Sequence, residues 1–191
     1  MKCLRIADDG QQLTITDAPR PQPGHGELLI EVRAAAVTPS EFSWYPTTHK
    51  KNGEPRKGAV PCHEFSGLVA STGDGSFTTG QEVFGMNDWY SDGALAEFCI
   101  APSFAIAKKP RSLTHAEAAS VPISALTAWQ GLFDRAKLQS GDRVLVHGGA
   151  GGVGVFAVQL ARLHGAHVIA TVSARNSDFV SSLGVDQIVD W

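Results

Sequence analysis

Residues 144–176 read VLVHGGAGGVGVFAVQLARLHGAHVIATVSARN, and the octet HGGAGGVG at 147–154 holds five glycines in eight positions. Glycine inside a regular element costs about 0.5–1 kcal/mol relative to alanine. A chain that accepts this cost several times in one turn needs bare backbone there. The flanks say what kind of turn it is. RVLVHG is a short apolar run, the pattern of a strand buried on both faces in a parallel sheet. From Val153 onward Val153, Phe156, Ala157, Leu160 and Ala161 fall at helical spacing, and Gly165 stands where a C-cap glycine belongs. HVIATV then predicts a second strand, ARNSDFVSSLG a second helix and DQIVDW a third strand. The order is β-α-β-α-β, with strands expected at 144–146, 168–172 and 187–190.

A glycine turn between a strand and a helix is the context in which a GxGxxG string carries information. Gly149, Gly151 and Gly154 supply that spacing, and Gly148, Gly151 and Gly154 supply an equally usable GxxGxxG. Such glycines allow a tight exit from the strand, let backbone amides approach a pyrophosphate, and bring helix and strand close together. The helix start adds unpaired N–H groups and the positive end of its dipole. Gly149, Ala150, Gly151, Gly152, Val153 and Gly154 are therefore the candidate cofactor cradle. A P-loop would need Lys and Ser or Thr after the last spaced glycine, where this chain has Val155 and Phe156. A turn that serves packing alone is the remaining alternative.

The tip of the second strand decides between coenzymes, because an acidic residue there would bind the 2′-hydroxyl of NAD. The sequence is ATVSARN. Ser173, Arg175 and Asn176 offer a hydroxyl, a guanidinium and an amide in place of a carboxylate, which suits a 2′-phosphate and predicts NADP(H). The competing reading makes Arg175 a solvated residue at a helix start.

Upstream, the first 110 residues read as short strands (KCLRIA, LTITDA, ELLIEVRAAAV, EFSGLVAST, QEVFGM, ALAEFCIA, FAIAKK) separated by turn-rich segments such as PRPQPGHG, STGDGS and NDWYSDG. They predict a compact, mostly β domain. After Pro110 the texture turns helical, with Ser112 or Thr114 as cap and Pro122 as a break before a second helix around 124–135. The expected division is a mostly β domain over 1–118 and an α/β domain over 119–191.

With 191 residues, 43% hydrophobic and 18% charged, the chain can bury a core. Its net charge of −3 gives no basic footprint for nucleic acid, and no apolar run approaches the roughly 18 residues of a membrane span. The N-terminus MKCLRIADDGQQ lacks a secretory apolar run, and Cys3, Cys62 and Cys99 form no CxxC pair, so a reducing, cytoplasmic location is expected.

PGHGELLIEVRAAAVTPSEF, EFSGLVASTG, DGALAEF, VPISALTAWQGL and HGGAGGVG together resemble the medium-chain dehydrogenase/reductase superfamily, in its zinc-independent quinone oxidoreductase branch, along the whole chain. The resemblance implies a GroES-like domain followed by a partial Rossmann domain, and hydride transfer from NADPH to a quinone, an enone or another carbonyl. Thr127, in SALTAWQ, resembles a position that reaches the cofactor. Thr38 and Glu41 stand where the zinc-free branch often has Asn and Asp around the nicotinamide and substrate. Tyr45 and Tyr90, beside Trp44 and Trp89, are candidates for stacking on a flat substrate or donating a proton, with Tyr45 the choice for catalysis.

Cys62-His63-Glu64 resembles the step at which zinc-dependent members place a ligand, and a catalytic zinc needs three protein ligands. The other two positions hold Thr38 and a residue near Ile123, so no metal is expected and His63 is read as lining or supporting the cleft. A full doubly wound sheet has six strands in the order 3-2-1-4-5-6. Only strands 1–3 are legible, so the chain is expected to be a truncated form whose strand 1 leaves an unpaired edge, open to self-association. Three functions stay open: a zinc-free NADPH oxidoreductase, a catalytically silent nucleotide-binding or interaction module, and a zinc alcohol dehydrogenase.

Overall fold

The structure is a computed structural model that describes residues 1–7, 12–38, 40–73 and 75–190. Asp74, in the expected STGDGS turn, and Trp191, at the end of the expected third α/β strand, lie outside the described residues. The chain divides into two compact units, Met1–Pro122 and Ile123–Trp191.

The first unit contains β1 (Lys2–Ile6), β2 (Leu13–Asp17), β3 (Glu27–Ala36), the short helix α1 (Tyr45–Thr48), β4 (Glu64–Thr72), β5 (Glu82–Met86), β6 (Phe98–Pro102), β7 (Ile106–Lys108) and α2 (His115–Ala119). β1 and β2 pair antiparallel, and the other five form one antiparallel sheet in the order β6-β3-β4-β5-β7. Inward-facing alternation explains the core: Leu28 and Ile30 of β3, Phe65 and Val69 of β4, Val83 of β5, and Cys99 and Ala101 of β6 are buried together. Two expected strands are shorter than their sequence runs. Residues 94–97 spend their backbone on other segments: Leu95 N–H donates to Pro61, Ala94 N–H to Cys62, and Leu95 accepts from Leu4. Ser103–Ala105 form a 3-10 turn before β7, leaving Phe104 exposed. Helix α2 starts on a capping box in which Glu117 N–H donates to Thr114 Oγ1 at 3.2 Å and Thr114 N–H donates to Glu117 Oε2 at 2.7 Å.

The second unit runs α3 (Pro122–Trp129), a π-helical continuation (Gln130–Arg135), β8 (Arg143–Val146), α4 (Gly152–Leu163), β9 (His167–Val172), a 3-10 turn (Ala174–Asn176), α5 (Ser177–Ser182) and β10 (Gln187–Asp190). Pro122 opens α3 rather than kinking it, because proline is tolerated in a first helical turn. The three strands are parallel in the order β10-β9-β8. Val146, Val168, Ala170 and Val172 pack with Ala157, Val158 and Ala161 of α4 and Val180 of α5. Gly165, at φ +86°, ends the α4 turn.

β8 departs from the doubly buried strand its apolar run predicts. Among the described residues it pairs only with β9, and Leu145 is 52% exposed while Val146 is buried. Apolar composition reports what a strand can be covered by; the cover itself has to come from another segment.

Candidate functional site

Two groups of residues carry chemistry, one in each unit. In the second unit the chain leaves β8 through His147 and turns at Gly148, whose φ of +68° is open to glycine and strained for other residues. Thr171 of β9 fixes this turn: its hydroxyl accepts from Gly148 N–H at 3.0 Å and its carbonyl from Gly149 N–H at 2.9 Å. Gly151 N–H then donates to Gly148 O at 2.8 Å, and Gly151 serves as N-cap of α4 in extended conformation without a side-chain cap. The first-turn amides of Gly152, Val153 and Gly154 thus have no intrahelical carbonyl to bond, which is the condition for binding an anion at a helix start. Gly154 is the closest approach: a methyl group placed there would meet the Gly148 carbonyl oxygen. The cradle fits a pyrophosphate, since it offers amides, a helix dipole and no side chain in the way.

The sequence-predicted ribose residues lie at the end of β9. Ser173 precedes the 3-10 turn, its carbonyl accepts from Asn176 N–H at 2.9 Å, and its hydroxyl accepts from the Asn176 side-chain amide at 3.4 Å. Arg175 is exposed and carries no ion pair among the described residues. Thr127 is also exposed, but its hydroxyl donates to the Ile123 carbonyl of its own helix at 2.7 Å.

In the first unit Glu41, in a 3-10 turn, is 1% exposed, and its Oε1 accepts from Cys62 N–H at 2.7 Å and pairs with His63 Nδ1 at 2.5 Å. His63 is equally buried, at 1% exposed, and its Nε2 has no partner among the described residues. The ring of Trp89 lies 5.5 Å from the His63 ring, tilted by 31°, and Trp44 meets Trp89 edge-on at 5.5 Å. Trp44 donates its indole N–H to Ser40 Oγ at 3.1 Å.

Cys62 holds this group in place with a backbone that only glycine adopts freely. Its φ is +70°, a conformation costing a side-chain-bearing residue about 1–3 kcal/mol. Its N–H is taken by Glu41 and its carbonyl accepts from Ala94 N–H at 2.6 Å, while the His63 carbonyl accepts from Asn87 N–H at 3.0 Å. Burial, followed by the charges of Glu41 and Glu64, pushes the Cys62 thiol up to about 12, so without a metal it stays protonated at neutral pH. Among the described residues no three His, Cys, Asp or Glu side chains converge on a common point, so the donor set does not fit a catalytic zinc.

Of the remaining candidates, Thr38 offers its carbonyl, which accepts from Glu41 N–H at 2.9 Å. Tyr45 is 54% exposed and stacked on His49 at 4.5 Å with the rings 5° from parallel. Tyr90 sits under Lys51, whose ammonium is 5.5 Å from its ring centre. Sequence reasoning missed Thr171 and the Glu41–His63 pair. A Thr two residues before the strand tip could have been flagged as a turn partner, whereas the pair joins segments 22 residues apart and leaves no local signal.

Known proteins share this geometry. Residues 24–111 match the alcohol dehydrogenase GroES-like domain. The chain is 35% identical over 178 residues to the chloroplastic quinone-oxidoreductase homolog of Spinacia oleracea, covering 90% of this chain and 54% of that protein. The crystal structure of the quinone oxidoreductase from Coxiella burnetii superimposes with a TM-score of 0.86 at 33% identity, over 99% of this chain and 62% of that one. A mycobacterial structure solved with NADPH gives a TM-score of 0.79 at 36% identity, over 100% of this chain and 58% of that one. These matches are to quinone oxidoreductases and alcohol dehydrogenase-like proteins of the medium-chain dehydrogenase/reductase superfamily, which this chain resembles. The chain spans about half the length of the curated relatives it matches.

Proposed function

We propose that this chain is the GroES-like and dinucleotide-binding part of a zinc-free, NADPH-dependent oxidoreductase that reduces a quinone, an enone or another carbonyl. The observation that carries the reading is the Gly148–Gly154 turn, anchored by Thr171 and opening onto the uncapped start of α4. The exposed Arg175 guanidinium at the end of β9 supports the phosphorylated coenzyme, as does the mycobacterial relative solved in complex with NADPH. The names of the relatives support a quinone as substrate class. When bound, the nicotinamide would supply the hydride, while the protein binds, orients and hydrogen-bonds. Calorimetric titration with NADPH and NADH tests the reading: saturable binding with NADPH the tighter ligand is expected, and a folded chain giving no heat with either coenzyme would overturn it.

A second reading, a nucleotide-binding module without turnover, is favoured by one observation: among the described residues β8 pairs only with β9, and Leu145 is exposed. Solution mass measured alongside NADPH oxidation in the presence of a quinone separates the two. Coenzyme binding and self-association without oxidation favour the module.

A further inference from the structure

Among the described residues of the first unit, the His63 ring is the one buried titratable side chain with an orphaned nitrogen. A buried polar atom without a partner is destabilising, because it has left water and gained no hydrogen bond in return. Here the cost falls beside a second one, the left-handed backbone of Cys62. Both expenses maintain the same arrangement: Nδ1 fixed on the Glu41 carboxylate, and Nε2 pointed away from it, with the half-exposed Trp89 indole beside the ring. Trp89 belongs to a surface turn closed by Ser91 N–H donating to Asp88 O at 3.0 Å and Tyr90 N–H donating to Asp88 Oδ1 at 2.9 Å. An orphaned nitrogen under an aromatic flap on a turn is an arrangement suited to a flat ligand with a hydrogen-bonding oxygen.

We propose that His63 is a catalytic residue that meets the oxygen of the carbonyl or quinone substrate through Nε2, with Glu41 its positioning residue and Trp89 the flap that yields to the ligand. This rests on the proposed function and names the oxygen-recognising group of that same site. The ring serves both ends of the reaction. With Nδ1–H given to Glu41, a protonated ring donates Nε2–H to a carbonyl oxygen, and a neutral ring accepts at Nε2 from the hydroxyl of the product. The coenzyme, when bound, would supply the hydride. A carbonyl substrate would gain that hydride at carbon while its π pair moves onto oxygen and takes the Nε2 proton, giving the alcohol; a quinone would gain the same two electrons and two protons, one of them from Nε2, giving the hydroquinone. The imidazole would regain its proton from water.

The test uses the full chain labelled with ¹⁵N-histidine, His63 being assigned by the signal lost in His63→Gln. Titration with 2-methyl-1,4-naphthoquinone is expected to move the Nε2 resonance of His63 and the indole signal of Trp89 while Nδ1 stays bonded to Glu41. His63→Gln is expected to weaken quinone binding about tenfold, the loss of one hydrogen bond to a buried group, and to leave NADPH affinity unchanged. Glu41→Gln, which keeps shape and an acceptor for Cys62 N–H, is expected to move the Nε2 signal in the free chain and to weaken the quinone. Quinone binding that leaves Nε2 unmoved, or no quinone binding by a chain that binds NADPH, would overturn the inference. So would stoichiometric zinc surviving dialysis in the wild type and lost in His63→Gln. A quinone-induced Nε2 shift in a chain that fails to bind NADPH would uphold the inference and sink the coenzyme reading instead.

Discussion

The glycine turn of the second unit and the Glu41–His63 pair of the first are built on opposite terms. The turn works by leaving side chains out: its parts are backbone amides, contiguous over residues 148–154, and its one outside support is Thr171. The pair works by burying side chains that water would otherwise solvate, drawn from separate segments at 41, 62–63 and 87–89 and pinned by a strained residue. An added atom damages the first; a removed atom damages the second.

The contrast is broken most severely at Glu41. Glu41→Ala leaves His63 Nδ1 and Cys62 N–H buried without an acceptor, and a loss of about 3–5 kcal/mol is expected, read from urea unfolding. An effect under about 1 kcal/mol would mean that water replaces the carboxylate. Gly154→Ala attacks the other site from the opposite direction, pressing a methyl against the Gly148 carbonyl. It should cost about 1–3 kcal/mol of stability and abolish the calorimetric NADPH signal. Arg175→Ala sharpens the contrast, since it removes charge and leaves the cradle intact: NADPH affinity should fall about tenfold with NADH almost unaffected. Thr114→Ala, which removes a bond belonging to neither site, calibrates ordinary structural loss, at about 1 kcal/mol from the capping box.

The smallest effect expected is on acid stability. Val168 N–H, followed by the charges of Arg162 and His167, holds the Asp186 carboxyl below its ordinary 3.8. A depressed value in the folded state stabilises fully above that pH and is lost as pH falls through the lowered one. Asp186→Asn should therefore lose that stabilisation at neutral pH and flatten the low-pH end of the stability curve, where wild type and variant converge. A wild type and variant with parallel acid limbs would remove Asp186 from the account.

The second unit is largely legible in the sequence because its information is local. The strands expected at 144–146, 168–172 and 187–190 match β8, β9 and β10, and Gly165 ends α4 where the helical spacing stops. Alternation and turn residues likewise mark the strands of the first unit, except at 94–97, where backbone partners come from β1 and from residues 61–62, invisible to any window of sequence. Glu41 stands out in the sequence but its partner does not, because which side chain a carboxylate reaches depends on what folds beneath it. Cys62 has no sequence mark of its left-handed backbone, since glycine, the residue that would announce it, is absent.

On the proposed reading, Thr171 would make coenzyme preference and phosphate grip neighbours on a single strand. Its hydroxyl steadies the amide of Gly148, and two residues later the chain reaches Ser173, where a ribose would be read. Retuning the protein from one nicotinamide coenzyme to the other would then be a matter of exchanging side chains at 173, 175 and 176 with Thr171 untouched. A designer who shortened or shifted that strand would loosen the diphosphate while trying only to change the sugar.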